Sequence, residues 1–253
     1  MNRNAEFAEA FQAALAGDPE SDVDVHLTTF LESRGYAFGH RSATNLRLLA
    51  HLVPPDTLRA ICAAALGTPM PDMALNGLER ISTLVSKEEL VAVCSKKIRL
   101  GQLLTICGSS PFLVNIICRL PDLFHDLFIL KRIETRRERG DTLAALRSLV
   151  GDETDLAVVM TQLRRFKFAE VLRIAARDLN GMAPLEEVTA ELCALAAASL
   201  QVAYEVGRKR LVAEHGLPMM TTPTGEREAD LTILGMGKLG GCELNFSSDI
   251  DLI

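Results

Sequence analysis

Two aspartates near the end of the sequence have the type and spacing of a metal site. In the run DIDLI, Asp249 and Asp251 alternate with apolar residues, which predicts a strand. Because side chains two positions apart project from the same face of a strand, we expect both carboxylates on one face, roughly 6 to 7 Å apart. Hard divalent cations prefer carboxylate oxygens. The pair therefore predicts a catalytic Mg²⁺ site for phosphoryl or nucleotidyl transfer, in which the metal orients the phosphate and stabilises the attacking and leaving oxygens.

A glycine-rich segment precedes the aspartates and predicts a phosphate-binding turn. Residues 231–234 are interpreted as a short buried strand, after which glycines let the backbone turn tightly and approach a ligand. Backbone N–H groups in such a turn suit phosphate oxygens, the Lys238 cation can meet a polyphosphate, and two serine hydroxyls add donors. The candidate nucleotide-binding or phosphate-binding residues of this segment are Gly235, Gly237, Lys238, Gly240, Gly241, Asn245, Ser247 and Ser248.

The glycine spacing also satisfies a dinucleotide-binding pattern, but the residues that follow exclude it. That pattern needs a crossover with a helix before the next strand, whereas only eight residues separate Gly240 from Asp249. A Walker A loop fails as well, because Leu239 stands where a Ser or Thr must follow the lysine. A plain glycine turn between two strands is the remaining alternative, and it leaves the lysine and the two aspartates unexplained.

Three collinear stretches resemble one enzyme family. The run GMGKLGGCELNFSSDIDLI is similar to the signature of the glutamine synthetase adenylyltransferase and adenylyl-removing enzymes, within the polymerase-β-like nucleotidyltransferase superfamily. Residues 108–124 and 163–196 are similar to two further stretches of these enzymes, in the same order. The resemblance implies the N-terminal half, which removes AMP from adenylyl-tyrosine on glutamine synthetase by phosphorolysis and releases ADP. It also implies a second half that attaches AMP from ATP, and regulation by PII protein and glutamine in nitrogen metabolism.

The chain departs from the pattern of that family in length and at one residue. Family members are several times longer and usually have a third carboxylate on a later strand, so we expect this chain to be a fragment that is inactive alone. Cys242 stands where a larger polar residue, often Arg, is expected. A non-catalytic alternative therefore stays open, in which the helices are a docking module for glutamine synthetase or PII protein.

Composition predicts a soluble, cytoplasmic protein that binds neither nucleic acid nor a membrane. The 253 residues are 48% hydrophobic, which is enough for a substantial core, and no run has the length of a membrane span. The formal net charge of −6 argues against nucleic-acid binding, which needs clustered Lys and Arg. Six cysteines without a C-x-x-C pair favour reduced core thiols over zinc ligands.

The chain before residue 217 reads as helix, which predicts a mainly α protein. We expect a helical N-terminal bundle at residues 1–150, a long antiparallel helix pair at 151–216, and a linker with the first strands of an α+β nucleotidyltransferase domain, truncated in its sheet, at 217–253. Ser86 and Ser110 are expected to cap helices, and Gly181 and Gly216 to follow the ends of the two long ones. Residues 217–229 show no periodicity and are expected to be a loop.

Three arginines share one face of the first long predicted helix. Arg165, Arg173 and Arg177 lie at spacings of eight and four residues. Guanidinium groups suit bidentate contact with phosphate or carboxylate, so one hypothesis is that the three face the active site or inorganic phosphate, with Arg173 as the phosphate-binding residue. The alternative is a solvated face with local ion pairs, such as one between Glu170 and Arg173.

Overall fold

The computed structural model describes residues 11–12 and 23–253, and it confirms the predicted mainly α fold. Helices account for most of the described chain, and its one sheet has two strands. The chain divides into two compact units, Met1–Ile133 and Glu134–Ile253. The domain boundaries predicted from the sequence, near residues 150 and 216, stay predictions. Residues 1–10 and 13–22 of the predicted N-terminal bundle lie outside the described residues.

Unit 1 consists of short helices. They are α1 (Val23–Ser33), α2 (Gly39–Ala50), α3 (Pro55–Ala65), α4 (Pro71–Ser82), α5 (Lys87–Cys94), α6 (Lys97–Ser109), α7 (Pro111–Arg119) and the single turn α8 (Asp122–Phe124), which continues as a π-helix (His125–Ile129). No single helix in the described part of the chain is long and apolar enough to cross a membrane. By length and composition α6 and α7 pass that test only as a pair, which is bent by 111°.

Two predicted helix caps in unit 1 are confirmed. The Ser86 hydroxyl accepts a hydrogen bond from the Glu89 N–H at the start of α5, and the Ser110 hydroxyl accepts one from the Leu113 N–H at the start of α7. Each cap satisfies a backbone donor that the first turn of a helix leaves free. Glu89 has a further partner, because the His125 Nδ1 atom lies 2.6 Å from its Oε1 atom. The hydrogen bonds from His125 and Ser86 lower the pKa of the Glu89 carboxyl below its ordinary value.

The core of unit 1 depends on a close approach between α4 and α6. Leu75 and Leu78 of α4 and Leu104 of α6 are fully buried. Between these leucines the two backbones come so close that a Cβ atom at Gly77 would lie 2.9 Å from the Cys107 Cβ atom. Real Cβ atoms do not pack at that distance. Glycine at position 77 is therefore a packing requirement of this helix pair.

Unit 2 consists of three longer helices, a hairpin and one short helical turn. They are α9 (Arg139–Val150), α10 (Leu156–Leu179), α11 (Leu185–His215), β1 (Met219–Thr222), β2 (Gly225–Glu228) and α12 (Gly237–Gly240). Gly181 and Gly216 follow α10 and α11 with φ values of 64° and 79°, which confirms the predicted helix ends. Leu146 and Val150 of α9 pack with Val159 of α10 and with a stripe along α11 to form an apolar core. The stripe consists of Ala198, Val202 and Val206.

The prediction that residues 217–229 form a loop is wrong. β1 and β2 pair as an antiparallel hairpin in which Met219 lies opposite Glu228 and Thr222 lies opposite Gly225. Nearly every side chain of the hairpin is exposed, so neither face requires apolar residues and the sequence carries no alternating pattern. An ion pair between Arg208 and Glu228 attaches β2 to α11.

Replacing Gly77 with alanine is expected to destabilise unit 1, because the added methyl group overlaps Cys107. We expect Gly77→Ala to lower the free energy of unfolding by about 1 to 3 kcal/mol, measured by urea denaturation. Gly101 of α6 is the matched control, since no heavy atom lies within 4 Å of its Cβ position. Gly101→Ala is expected to be neutral or stabilising by up to about 1 kcal/mol, because alanine favours helix. Equal effects of the two substitutions would contradict the close approach.

Candidate nucleotide and metal site

A short antiparallel pairing brings the two predicted motifs together. Gly235 and Leu252 form an antiparallel bridge, and the residue pair next to them exchanges two backbone hydrogen bonds of 2.8 and 3.0 Å. On the other side of the bridge, the Met236 N–H donates to the Asp251 carbonyl oxygen at 2.8 Å. The second aspartate therefore lies beside the first residues of the glycine turn.

The burial predicted for residues 231–234 is wrong. Leu231 is 64% exposed and Leu234 is 54% exposed, and regular pairing is confined to the bridge at Gly235 and the hydrogen bonds beside it. The physical reason is that, within the described chain, only the last residues pair with this segment. A single pairing partner leaves both faces of the segment open to solvent.

Leu244 attaches the terminal segment to the long helices. It is 6% exposed and packs with Ile174 of α10 and with Val188 and Cys193 of α11, and Leu239 packs against the same cluster. Upstream, the Tyr204 hydroxyl of α11 donates a hydrogen bond to Asp230, which lowers the pKa of that carboxyl below its ordinary value. The part of the chain from Asp230 to Leu244 is thus attached to the long helices at both ends, and the glycine turn lies between the two attachments.

Two glycines of the turn have positions that other residues cannot occupy without strain. Gly237 has a φ of 53°, in the left-handed region, and a Cβ atom there would lie 3.7 Å from the Asp251 Oδ2 atom. At Gly240 a Cβ atom would lie 2.5 Å from the Gly235 carbonyl oxygen, which belongs to the backbone and cannot rotate away. These contacts place the Asp251 carboxylate next to the start of α12.

The turn offers three free backbone donors. The N–H groups of Gly240 and Gly241 donate to the carbonyl oxygens of Met236 and Gly237. In contrast, those of residues 237, 238 and 239 donate to no described residue. The Lys238 side chain is exposed at the same turn and forms no ion pair with the described part of the chain. One cation and three N–H groups are therefore available to an anionic ligand.

Asn245 and Ser248 hold each other in the turn that precedes the aspartates. The Asn245 side-chain oxygen accepts hydrogen bonds from the Ser248 hydroxyl at 2.8 Å and from the Ser247 N–H at 3.1 Å. The Asn245 N–H also donates to the Ser248 hydroxyl at 3.3 Å. These contacts form an Asx turn, which fixes the backbone just before the two aspartates. The Ser247 hydroxyl has no such partner among the described residues.

The Asp249 and Asp251 carboxylates fit a Mg²⁺ ion that a phosphate also coordinates. Both are exposed, and neither has a hydrogen bond or an ion pair within residues 23–253. In the same part of the chain, no group of three or more His, Cys, Asp or Glu side chains is placed to hold a metal. Mg²⁺ is commonly bound by one or two carboxylates, with waters and substrate phosphate oxygens as the other ligands. The donor set present therefore suits a metal that is held jointly with a nucleotide.

The structure places Arg173 in a buried ion network. Its guanidinium donates to Glu170 at 2.9 and 3.0 Å, to Glu191 of α11 at 3.2 Å, and to the Thr135 carbonyl oxygen at 2.6 Å. Arg137 joins the network through a 3.1 Å contact with Glu170 and a backbone N–H bond to Glu191. Arg173 is only 3% exposed. Its role in phosphate binding stays a prediction, and its visible contacts are with carboxylates.

The three arginines of α10 do not share one environment. Arg165 is exposed, whereas Arg173 and Arg177 are buried, and Arg177 forms an ion pair with Glu187 of α11. The solvated face considered from the sequence is therefore wrong for the C-terminal half of α10, although the local pair of Glu170 with Arg173 is present. Pairing with α11, which spacing along α10 alone does not reveal, accounts for the difference.

A cleft of about 880 Å³ in unit 2 lies next to the glycine turn and contains groups that the sequence interpretation did not include. Its lining residues come from the segment before α9, from α11 and from the terminal segment. They include Arg136, Arg137, Arg139, Glu187, Glu191, Tyr204, Gly235, Gly240 and Cys242. Arg173 is not among the lining residues. The basic run at residues 136–139 is the sequence signal that could have indicated this cleft.

Gly240→Ala is expected to open the bridge that holds Asp251 beside the turn. The added Cβ atom would meet the Gly235 carbonyl oxygen, so the pairing at Gly235 must shift. Hydrogen exchange of the Met236 and Ile253 amides should become at least about tenfold faster, because their protection depends on this pairing. Gly241→Ala is the matched control, since its Cβ position has only ordinary contacts from 3.5 Å outward. Unchanged exchange in Gly240→Ala would contradict the geometry of the turn.

Arg173→Met is expected to destabilise unit 2 strongly. The substitution leaves the buried carboxylates of Glu170 and Glu191 without their main partner, which typically costs about 3 to 5 kcal/mol. Urea denaturation measures this loss. Arg164→Met is the control on the same helix, and at its exposed position we expect a change within about 0.5 kcal/mol. Similar stability of the two variants would show that the network does not stabilise the helix pair.

The chain is similar to proteins of one known family. The sequence profile of the family described as glutamate-ammonia ligase adenylyltransferase matches residues 100–253. A bifunctional glutamine synthetase adenylyltransferase/adenylyl-removing enzyme of Pseudomonas aeruginosa is 33% identical over 197 residues, which cover 76% of this chain and 20% of that protein. A protein of the same description from Thioalkalivibrio sulfidiphilus is 28% identical over 250 residues, 97% of this chain and 25% of its own length. The chain thus spans a fifth to a quarter of these two relatives.

Proposed function

Because the chain belongs to the glutamate-ammonia ligase adenylyltransferase family, we propose that it contributes metal-binding and phosphate-binding groups to a site that acts on glutamine synthetase. The reaction we propose is removal of AMP from adenylyl-tyrosine by phosphorolysis, with release of ADP. The names of the relatives state both an adenylyltransferase and an adenylyl-removing activity for those proteins. The upstream helices, which resemble the N-terminal half of such enzymes, support the removing reaction for this chain.

The observation that carries this proposal is a group of charged side chains without protein partners in one short segment. The Asp249 and Asp251 carboxylates and the Lys238 ammonium have no ion pair in the described chain, and Asp251 lies beside Gly237. Three backbone N–H groups of the same turn are free. Carboxylates for a divalent cation next to donors for phosphate are the combination that nucleotidyl transfer requires.

Each group has a distinct task in the proposed reaction. Asp249 and Asp251 would hold Mg²⁺, which supplies charge stabilisation at the phosphoryl oxygens when it is bound. Lys238 and the free N–H groups of the turn bind the phosphate oxygens of the adenylyl group and of the attacking phosphate. Ser247 offers an uncommitted hydroxyl beside them. Asn245 and Ser248 act through the backbone, because their polar atoms are bonded to each other.

The bonds that change in this reaction are few. An oxygen of inorganic phosphate forms a bond to the phosphorus of the adenylyl group, and the bond from that phosphorus to the tyrosyl oxygen breaks. The tyrosyl oxygen takes up a proton, and AMP joined to phosphate leaves as ADP. A phenol with a pKa of about 10 is a tolerable leaving group once the charge on the phosphoryl oxygens is stabilised.

The wider setting is proposed on the same resemblance. A longer protein with this chain would also attach AMP from ATP to glutamine synthetase, and it would respond to PII protein and glutamine in the control of nitrogen assimilation. We propose that it works in the cytoplasm, where its six thiols, all free of disulfides in this structure, would stay reduced.

The test is release of ADP from adenylylated glutamine synthetase in the presence of phosphate and Mg²⁺. It is run with this chain and with a version extended at its C-terminus, because the chain spans a quarter or less of the relatives described above. We expect Asp249→Asn and Asp251→Asn to lower the rate of the active form by at least about a hundredfold. Glu243→Gln, which removes an exposed carboxylate from the same segment, is the control and should retain the rate.

The possible outcomes separate the hypotheses. ADP release that persists when both aspartates are replaced would disprove the assigned metal site. An extended protein that binds glutamine synthetase without releasing ADP would support the alternative of a non-catalytic docking module. Full activity of the 253-residue chain alone would contradict the expectation that further carboxylates are needed.

A further inference from the structure

Two cysteines of unit 2 meet where the terminal segment contacts α11. Cys193 lies in α11 and Cys242 directly follows the Gly237–Gly241 turn, and both line the cleft beside that turn. Both are free of disulfides, and burial together with the nearby Cys242 raises the pKa of the Cys193 thiol. The two thiols therefore lie near each other in the same cleft, although 48 residues lie between them in the chain.

The packing around this contact makes the proximity a property of the fold. Leu239 and Leu244 lie on either side of Cys242 in sequence, and both pack against the cluster that contains Cys193. Cys242 itself has a φ of 57°, a conformation that residues other than glycine rarely adopt. An outlier held in place on both sides indicates that the local structure determines the position of Cys242.

The two thiols differ in their access to solvent. Cys242 is exposed, whereas Cys193 is 6% exposed. Burial raises the pKa of the Cys193 thiol above its ordinary value, so this thiol is the less reactive toward a dissolved oxidant. Three of the other cysteines are buried in unit 1, and the fourth, Cys118, is half-buried. Cysteines that react with oxidants are accessible to solvent and often lie next to a second, resolving cysteine.

We propose that Cys193 and Cys242 are a dithiol that hydrogen peroxide converts reversibly into an intramolecular disulfide. In the first step the Cys242 thiolate attacks one peroxide oxygen, the O–O bond breaks, and water and a sulfenic acid form. In the second step the Cys193 sulfur attacks the Cys242 sulfur, the S–O bond breaks, and Cys193 gives its proton to the departing oxygen as a second water. Two thiols are oxidised by two electrons, one peroxide is reduced to two waters, and a dithiol reductant reverses the change.

The disulfide would fasten the glycine turn to the middle of α11. A disulfide requires sulfur atoms about 2.05 Å apart, closer than two unbonded thiols can approach. The segment from Gly240 to Glu243 is exposed and can move toward α11 to form the bond. The bond would be adjacent to Gly240 and Gly241, so it would restrict the turn without using the Asp249 or Asp251 carboxylates. This inference concerns the thiols alone and does not depend on the proposed nucleotidyl transfer.

The test is peroxide oxidation of the complete chain, followed by alkylation of the remaining thiols and mass spectrometry without reduction. We expect the mass of the oxidised chain to fall by about 2 Da and the number of alkylated cysteines to fall by two, out of six in the reduced chain. A peptide pair that joins Cys193 to Cys242 should carry the loss, and dithiothreitol should restore both thiols. Cys193→Ser and Cys242→Ser should each abolish the mass change. Cys118→Ser is the control with an intact pair and should leave it unchanged.

A denatured sample shows whether the fold directs the reaction. In guanidinium chloride we expect the yield of the Cys193–Cys242 peptide pair to fall at least about tenfold, because all six thiols then compete. Equal yields in the native and denatured samples would overturn the proposal. It would also be overturned by a sulfinic acid at Cys242 with Cys193 still alkylated, or by a disulfide that joins two chains.

Discussion

The burial of Leu244 against α10 and α11 is the contact on which the candidate site depends. It is the one buried residue among residues 229–253. Apolar burial of a leucine contributes about 2 kcal/mol, which is enough to hold a short segment when other contacts assist it. The assistance comes from Leu239 and from the Tyr204 bond to Asp230. The glycine turn and the aspartates have little burial of their own, so their position is set by these attachments.

The helices that receive Leu244 are themselves held by charge pairing as well as by apolar packing. Arg173 and Glu191 place opposite charges on α10 and α11, and Arg137 brings the segment before α9 to the same point. Buried charges of this kind add little net stability, but removing one partner is costly. The network therefore fixes the relative position of α10 and α11 more than it strengthens the unit. That position determines where Leu244 can pack.

Signals between neighbouring residues in the sequence predict much of the fold but less of the candidate site. The caps at Ser86 and Ser110 depend on neighbouring residues, so the sequence alone predicts them. The hairpin at residues 219–228 was missed because its side chains are exposed and carry no apolar alternation. For Arg173, the ambiguity between phosphate contact and a solvated face arose because its partners lie on another helix and in a non-helical segment. Contacts of that kind depend on the tertiary structure, which periodicity does not report.

The charged residues of unit 2 that are discussed above fall into two groups, one buried and ion-paired and the other exposed and unpaired. Arg173, Glu170 and Glu191 are buried and form ion pairs with one another, and buried charges must be paired because their desolvation is otherwise too costly. Lys238, Asp249 and Asp251 are exposed and have no partner in the described chain, although opposite charges lie in the same short segment. Because these charges are hydrated, leaving them unpaired costs little free energy. The stability of the fold therefore does not explain why these three positions are charged. A ligand that needs a cation at one point and carboxylates at another does account for them, and a nucleotide phosphate bound with a divalent metal has that requirement.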